Sequence, residues 1–375
     1  MKDLKFVVSA IGDPFSSATY SGVPFNLFSV MDEEGLIVKR VNGKRFSWPD
    51  ILSGFYRPLL SLKHRKRYPN SLWRYKQSSG VELSKRLEQD IGDAEFDVFL
   101  QIGCGGLPTR PCIRVAHVEI PLHACMSDPV FAASYGFKDR SPKLVEDALA
   151  GEAKFLAQLD LVWTNTEWTS GLLQQAGVPK HKIFVYPPCV KQKDREYRPR
   201  TLDNLRVLFI GKDWERKGGP SLVTAFDKLR AEHPQAELHI VGCTPELPPS
   251  ENVFVHGFLD KSNPAESAKF NELLDTSNIF CMPSAWESTG IVYFEALQNS
   301  IPVLMVRGQG REDLFAGMAH IIDDNSAEQV YLGMKDMIDN YERSEQECMR
   351  GYQAVKYRYN YSAFVRSLCE RVEKI

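Results

Sequence analysis

Two glutamates eight residues apart are the first side chains of this sequence that could do chemistry. Glu287 lies in a predicted loop after an apolar strand, Gly290 opens the helix that follows, and Glu295 lies further along that helix. A helix rises about 1.5 Å per residue, so Gly290 to Glu295 spans roughly 7 to 8 Å, close to the distance from a ribose hydroxyl to the far end of a diphosphate. The pattern therefore suits a nucleotide diphosphate on a helix N-terminus.

The backbone at this helix start supports that interpretation. The backbone N–H groups of Thr289 to Val292 and the positive end of the helix dipole would meet the phosphates. Glu295 could accept from both ribose hydroxyls, while Glu287 reaches past the phosphates to the group attached there. The alternative is that both glutamates belong to a solvated helix face near a dipole-favouring first turn.

A basic cluster follows an earlier strand in the segment VLFIGKDWERKGG, residues 207–219. Gly211 ends the strand, and Lys212, Arg216 and Lys217 follow it. Cations at the carboxyl end of a strand can neutralise a leaving diphosphate. A basic turn that merely enters a helix is the alternative.

The stretch from Met282 to Arg311 reads PSxxE, then Gly290, then EAL and PV. This series resembles the ExxxxxxxE signature of retaining glycosyltransferases, most like glycosyltransferase family 4, which has the GT-B fold. The resemblance implies that Glu295 holds the nucleotide ribose and that Glu287 lies beside the donor sugar. It also implies backbone contacts from Gly290 and Ile291 to the diphosphate.

The basic cluster resembles the same family, which usually has Gly-Arg followed by Lys-Gly. Here Lys212 stands where arginine is common and Arg216 precedes Lys217. The resemblance implies that basic side chains neutralise the diphosphate and that no metal ion is required. Lys217 is the leading candidate for this role, followed by Arg216 and then Lys212.

Two further turns resemble parts of this family. Residues Pro187 to Val190 occupy the place of its interdomain turn, although Cys189 replaces a glycine. The segment GQGRED at 308–313 resembles the turn that closes the donor site, and its acidic residue is either Glu312 or Asp313.

The amino-terminal half offers a glycine-containing loop and a histidine. The loop from Gly12 to Gly22 follows the first strand, and a glycine lets backbone approach a ligand closely. By resemblance this loop closes over the donor phosphates and acceptor, with Gly22 as the contact, and His117 lies at the acceptor side. A plain connection and a structural histidine are the alternatives. His123 and Glu119 have no firm counterpart in the family.

Apolar strand-like runs alternate with amphipathic stretches, which is typical of βαβ units and parallel sheets. The first series is 6–11, 98–102, 113–117, 161–164 and 183–186, and the second is 206–210, 237–241, 253–256, 279–283 and 301–306. A polar stretch at 187–204 separates them. We therefore predict an α/β, GT-B protein with two facing Rossmann-like domains, 1–186 and 187–357, and a cleft between them. By resemblance, a helix in 358–375 packs back on the first domain.

Composition excludes several classes of protein. The 375 residues are 43% hydrophobic and 25% charged, which argues against long disorder, collagen-like repeats and a disulfide scaffold. No apolar window approaches the length of a membrane span, and residues 2–11 predict a first strand rather than a signal peptide. The eight cysteines form no CxxC pair, so we expect free thiols, a cytoplasmic location and no zinc site.

The net charge of −2 conceals a basic segment. Residues 39–86 hold 13 lysines and arginines but only Asp50 and Glu82 as acidic residues, with Tyr56, Tyr68, Trp73 and Tyr75 interleaved. Solvated surface charge explains such a run. The other interpretations are peripheral contact with an anionic membrane surface and contact with a polyanionic acceptor such as nucleic acid.

Together these features predict a metal-independent, retaining glycosyltransferase without a cofactor. Its donor would be a nucleotide-diphosphate sugar and its acceptor a hydroxyl of a glycan, a lipid-linked molecule or another polyanion. A GT-B nucleotide-sugar epimerase or hydrolase is one alternative. A non-catalytic protein that binds a nucleotide sugar or a polyanion is another.

Overall fold

The computed structural model describes residues 4–16, 19–42, 77–134, 141–191, 195–248, 250–261 and 263–375. The chain forms two compact units. The first comprises Met1–Tyr186 together with Phe364–Ile375, and the second comprises Pro187–Ala363.

The first unit is built on a parallel β-sheet. Its strands in the described ranges are β1 (Phe6–Ala10), β2 (Ile37–Asn42), β3 (Val98–Ile102), β4 (Ile113–His117), β5 (Leu161–Thr164) and β6 (Ile183–Val185). They lie in the order β2-β1-β3-β4-β5-β6, and all neighbouring pairs are parallel. Strands β1 and β3 are buried throughout, as expected for a parallel sheet covered on both faces.

Helices connect these strands. They are α1 (Val23–Glu33), α2 (Gln77–Ile91), α3 (Leu122–Ser127), α4 (Pro129–Ser134), α5 (Pro142–Ala157) and α6 (Glu167–Gln175), with short 3-10 turns at Thr19–Gly22 and Lys180–Lys182. The side chain of Ser141 accepts from the Leu144 N–H at the start of α5, and that of Thr166 accepts from the Thr169 N–H at the start of α6. Each cap satisfies an N–H that lacks a partner within its helix.

The second unit has its own parallel sheet. Its strands in the described part of the chain are β7 (Arg206–Ile210), β8 (Glu237–Val241), β9 (Val253–Gly257), β10 (Ile279–Cys281), β11 (Val303–Val306) and β12 (His320–Ile322). Its helices are α7 (Gly219–Glu232), α8 (Pro264–Thr276), α9 (Ile291–Gln298), α10 (Arg311–Leu314), α11 (Ala327–Asp339) and α12 (Tyr341–Tyr357). The strand order is β12-β11-β10-β7-β8-β9.

Each sheet has one point at which the strand order reverses. The second sheet, numbered from its own first strand, has the Rossmann order 3-2-1-4-5-6, and its reversal lies between β7 and β10. The first sheet begins 2-1-3-4-5, as in flavodoxin-like folds, and its reversal lies between β1 and β3. Ligands of such sheets bind at the carboxyl ends of the strands beside this point. In the second unit that place is formed by the segments after β7 and β10.

The last helix, α13 (Tyr361–Val372), ends the chain in the first unit. Phe364 is fully buried there, and its ring centroid lies 4.2 Å from that of Trp163 and 5.2 Å from that of Tyr186. Arg371 also donates to the backbone oxygen of His181 at 2.8 Å. These contacts hold the carboxyl terminus against strands β5 and β6. Among the helices of the described ranges, none has both the length and the apolar character that crossing a membrane requires.

Two histidines pair between the edge strand β9 of the second sheet and its neighbour β8. His239 Nδ1 in β8 lies 3.0 Å from His256 Nε2 in β9, and His239 Nε2 lies 3.2 Å from a carboxylate oxygen of Glu237. Burial lowers the pKa of both imidazoles, and the neighbouring His239 lowers that of His256 further. The hydrogen bond between the rings needs one nitrogen without a proton, so protonating both rings breaks it.

We expect acid to destabilise the protein partly through this pair. Because both pKa values lie below the ordinary value of about 6.5, the unfolded chain binds more protons, and stability present above that pH is lost as the pH falls. Between about pH 7.5 and 5.5, the melting temperature of His256→Gln should therefore fall less than that of the native protein. Scanning fluorimetry measures this, with His181→Gln, an exposed histidine, as the control. Equal acid losses in the native protein and His256→Gln would contradict the prediction.

Candidate functional site

The segment after β7 is packed tightly against the segment after β10. Gly218 has a φ of 77°, and a Cβ there would lie 2.1 Å from the backbone oxygen of Pro283. Glycine adopts this left-handed conformation without strain and leaves room for the second segment. Gly211 makes similar room for Lys217, since a Cβ on Gly211 would lie 2.5 Å from Cδ of the lysine. The glycines of the basic cluster thus leave the space that the Lys217 side chain and the segment after β10 occupy.

This packing brings three of the predicted residues together. Lys217 Nζ donates to Glu287 Oε2 at 2.6 Å, and Arg216 Nη1 lies 3.5 Å from the same oxygen. Arg216 is held by a 2.6 Å hydrogen bond from Nη1 to the backbone oxygen of Trp286 and by Nε, 3.2 Å from an oxygen of Asp213. The side chains of Lys217, Arg216 and Glu287 are 14%, 10% and 13% exposed. The cluster is nearly enclosed at the reversal point of the second sheet.

A third cation lies near the same carboxylate. Arg311, the first residue of α10, is fully buried and donates to the backbone oxygens of Gly308 at 3.0 Å and Arg307 at 3.3 Å. Its Nη1 is buried without a hydrogen-bond partner. Burial alone would raise the pKa of Glu287, but Lys217, Arg216 and Arg311 together hold that pKa below its ordinary value. Glu287 is therefore ionised, and with Asp213, which is paired with Arg216, it makes two carboxylates against three cations.

The start of α9 lies beside this cluster. Gly290 precedes the helix with a φ of 72°, and a Cβ there would lie 2.6 Å from the ring of Tyr293. Tyr293 in turn donates to the backbone oxygen of Met282 at 2.8 Å, which ties the first turn of α9 to the end of β10. Thr289 is 2% exposed and Ile291 is the first helical residue. Helix α9 thus begins directly after Gly290, at the position predicted from the sequence.

Glu295 and Lys212 do not join the Glu287 cluster. Glu295 Oε1 is paired with Lys261 Nζ at 2.6 Å. Lys212 Nζ lies 4.8 Å from the ring centroid of Phe258, an exposed side chain that directly follows β9. Both lysines are exposed.

The first unit places His117 at the end of β4 and pairs it with a residue after β5. His117 Nε2 lies 2.9 Å from Asn165 Oδ1, and the imidazole packs against Trp163 with ring centroids 4.2 Å apart and ring planes tilted by 42°. His117 Nδ1 is buried with no hydrogen-bond partner. Burial lowers the pKa of His117 to about 4, against an opposing effect of the Asn165 hydrogen bond, so the ring is neutral at pH 7.

Other predicted features are only partly described. Gly22 ends the 3-10 turn that leads into α1. The core of the basic segment, residues 43–76, lies outside the described residues, including all of its interleaved aromatic residues. The basic residues at its described ends make local contacts: Lys39 donates to the Ile91 oxygen, Arg40 to the Phe28 oxygen and Arg86 to Glu82. Across the described ranges, no three His, Cys, Asp or Glu side chains are placed to hold a metal ion.

Sequence reasoning missed three residues that the structure adds. Arg311 belongs to the GQGRED segment, in which the family resemblance indicates an acidic residue, and a buried arginine has no local sequence signal. Asn165 directly follows the predicted strand 161–164 and belongs to none of the motifs above. Lys261 lies in no motif, and its contact with Glu295 joins residues 34 positions apart.

We expect Asn165 to control the protonation of His117. Asn165→Asp puts a carboxylate about 3 Å from the ring, which favours the imidazolium and raises the pKa of His117. An NMR titration of the histidine ring protons should show native His117 neutral throughout pH 8 to 5 and the variant titrating within that range. Titration of native His117 close to the ordinary value of about 6.5 would contradict this account.

Comparison with known proteins adds a family to this geometry. Residues 190–353 match the family model described as Glycosyl transferases group 1, which is somewhat less than half of the chain. The match spans β7 to β12 and so includes Lys217, Glu287 and Glu295. No curated protein matches the sequence.

Solved structures match nearly the whole chain at low sequence identity. Sucrose-phosphate synthase from Thermosynechococcus elongatus has a TM-score of 0.71 at 14% identity, covering 99% of this chain and 98% of its own. Anabaena HepE in complex with UDP and glucose has a TM-score of 0.61 at 10% identity, covering 98% and 99%. WaaG, a glycosyltransferase involved in lipopolysaccharide biosynthesis, has a TM-score of 0.60 at 13% identity, covering 96% and 98%.

Such likenesses establish the fold and leave substrates open. The two parallel sheets and these matches confirm the predicted α/β, GT-B fold. The second unit therefore carries a glycosyl transferases group 1 domain, in a chain that has the GT-B fold.

Proposed function

We propose that the protein is a retaining, metal-independent glycosyltransferase of the family 4 type. It transfers a sugar from a nucleotide-diphosphate sugar to a hydroxyl acceptor. The observation that carries the proposal is the enclosed contact between Lys217 and Glu287 at the reversal point of a group 1 glycosyltransferase domain. The UDP bound in the Anabaena HepE structure supports a nucleotide donor.

Uncompensated positive charge supports a diphosphate ligand. Glu287 and Asp213, which is paired with Arg216, balance two of the three cations that act on Glu287. In a nearly enclosed site, the remaining charge favours an anion more strongly than it would in water. Lys217 and Arg216 can then stabilise the negative charge that grows on the diphosphate as the bond to the sugar breaks. The chain's own cations thereby take the role that a divalent ion has in other transferases.

The helix start and the second glutamate hold the rest of the donor. The backbone N–H groups around Gly290 and Ile291 have no partner within the helix and can donate to phosphate oxygens, with Thr289 adjoining them. Glu295 accepts from the ribose hydroxyls. Gly211 keeps the strand end open to the ligand, and Lys212 contributes charge at the rim. These residues therefore fix the nucleotide while the sugar extends toward Glu287.

Retention follows from an attack on the same face that the diphosphate leaves. In this scheme the leaving phosphate takes the proton of the acceptor hydroxyl, which then forms a bond to the anomeric carbon as the bond to the phosphate oxygen breaks. Glu287, ionised and fixed by Lys217, orients the sugar. It needs no covalent bond to the sugar in this scheme.

The first unit supplies the remaining proposed contacts. We assign His117 a role in contacting sugar or acceptor through hydrogen bonding, because its ring is neutral at pH 7, and Gly22 a backbone contact. Contact of residues 39–86 with an anionic membrane surface or a polyanionic acceptor stays a proposal. So does a cytoplasmic location, which is supported by the fact that none of the eight cysteines forms a disulfide bond.

A first prediction concerns ligand binding. Among UDP, GDP and ADP, we expect one to raise the melting temperature clearly, since a ligand selective for the folded state stabilises it. Lys217→Met should abolish most of that rise. No rise with any of the three diphosphates in the native protein would contradict the proposed donor site.

A second prediction concerns turnover. Lys217→Met and Glu287→Gln should each lower the rate about 100-fold or more, because each removes a group that acts on the reacting centre. The rate is measured as free nucleotide released from UDP-, GDP- and ADP-glucose, with and without monosaccharide and lipid-linked acceptors. Lys228→Met, which removes an exposed lysine paired with Glu328, is the control.

The outcomes of this assay separate the candidate functions. Native rates in either site variant would overturn the role of that residue. Consumption of donor that never depends on an acceptor would favour a hydrolase or epimerase. Donor that binds without turnover would favour a binding protein.

A further inference from the structure

Lys261 is a lysine held in a fixed position beside a predicted donor-binding residue. It lies between β9 and α8, and its Nζ is 2.6 Å from Glu295 Oε1. The same nitrogen lies 4.2 Å from the ring centroid of Phe270, which is 6% exposed. A carboxylate and an aromatic face therefore both hold the ammonium group, unlike a freely moving surface lysine.

Stability is a poor explanation for this arrangement. The Lys261 side chain is 48% exposed and that of Glu295 24%. Ion pairs at this exposure contribute little to stability. The Glu295 carboxylate, however, opens to solvent in the second turn of α9, on the helix whose start lies beside the buried cations. A role toward a ligand fits this place better.

The hydrogen-bonding capacity of the pair is matched to a vicinal diol. A carboxylate has about four lone-pair positions and an ammonium three N–H donors. The contact between Lys261 and Glu295 uses one of each, which leaves acceptors on Glu295 and donors on Lys261 side by side. Each hydroxyl of a diol can donate to the carboxylate and accept from the ammonium group. A ribose that lacks one of these hydroxyls would leave both the Glu295 carboxylate and the Lys261 ammonium group without a hydrogen-bond partner at that position.

We propose that Lys261 is a specificity-determining residue that, with Glu295, recognises the intact 2′,3′-diol of a ribonucleotide donor. The inference rests on the proposed function, since it takes Glu295 to be the ribose-binding residue. Lys261 keeps the carboxylate in place and donates to a ribose hydroxyl oxygen. The site then distinguishes a ribonucleoside diphosphate from its 2′-deoxy counterpart.

The effect is a ratio of affinities. Loss of a hydrogen bond to charged groups lowers affinity about tenfold or more. We therefore expect the native protein to bind a ribonucleoside diphosphate about tenfold more tightly than its 2′-deoxy form. In Lys261→Met that ratio should fall to about threefold or less, and Lys261→Arg, which keeps the charge and donors, should restore part of it.

The test is calorimetric titration with three pairs of probes: UDP and 2′-deoxy-UDP, GDP and 2′-deoxy-GDP, and ADP and 2′-deoxy-ADP. The matched control is Lys269→Met, which removes an exposed lysine of α8 that is paired with Glu272. Melting temperatures of all variants report whether the fold is kept. A merely structural role of Lys261 would alter affinity for both members of a pair equally and leave the ratio unchanged.

The possible results separate the inference from the function on which it rests. A lowered ratio in Lys261→Met and an unchanged one in Lys269→Met support the inference. A native ratio in Lys261→Met, or a native protein that does not distinguish the two forms, overturns it and leaves the donor site standing. If no diphosphate binds the native protein, the proposed function fails and the inference fails with it.

Discussion

A nearly enclosed carboxylate that neighbouring cations keep ionised is the constraint on which the second unit depends. Burying Glu287 alone would favour its neutral form, and Lys217 and Arg216 reverse that preference. Removing one partner of such a pair leaves an unpaired charge in a nearly enclosed site, which costs far more than an exposed pair contributes. The segments after β7 and β10 are therefore held together by charge as well as by packing.

The sheet explains why this pair can form at all. Strands β7 and β10 are neighbours in the second sheet, although some 70 residues separate them along the chain. Their carboxyl ends share one edge, and the order of strands reverses there. Gly218 lets the two segments touch, and Tyr293 binds the helix start to the end of β10. Fold, glycine positions and charge thus converge on one place.

Local sequence patterns predicted the strands that frame the site. Strands β3, β4, β5, β7 and β8 have the predicted bounds, because each is a short apolar run that ends near a turn residue or polar side chain. Strands β2 and β12 were missed. The first is largely half-buried and mixes lysine and arginine with apolar residues, and the second has three residues that begin with a histidine. Neither carries the continuous apolar signal of a central strand.

Positions in the candidate site could be predicted only for residues that lie close together along one segment of the chain. Glu287, Gly290 and Glu295 share a loop and a helix, so their order constrains their positions. Lys261 reaches Glu295 only through tertiary packing, and nothing near Arg311 in sequence indicates that its guanidinium is fully buried. His117 and Asn165 likewise meet because β4 and β5 pair. Hydrophobic periodicity and local motifs do not predict such contacts between segments that are distant in sequence.

The central claim is that Lys217 and the start of α9 hold the diphosphate of a nucleotide. A crystal structure with the stabilising nucleoside diphosphate bound tests it most directly, through the distance from Lys217 Nζ to the nearest oxygen of the distal phosphate. We predict about 2.7 to 2.9 Å, the length of a charge-assisted hydrogen bond. A diphosphate bound elsewhere, with Lys217 still paired only with Glu287, would contradict the account.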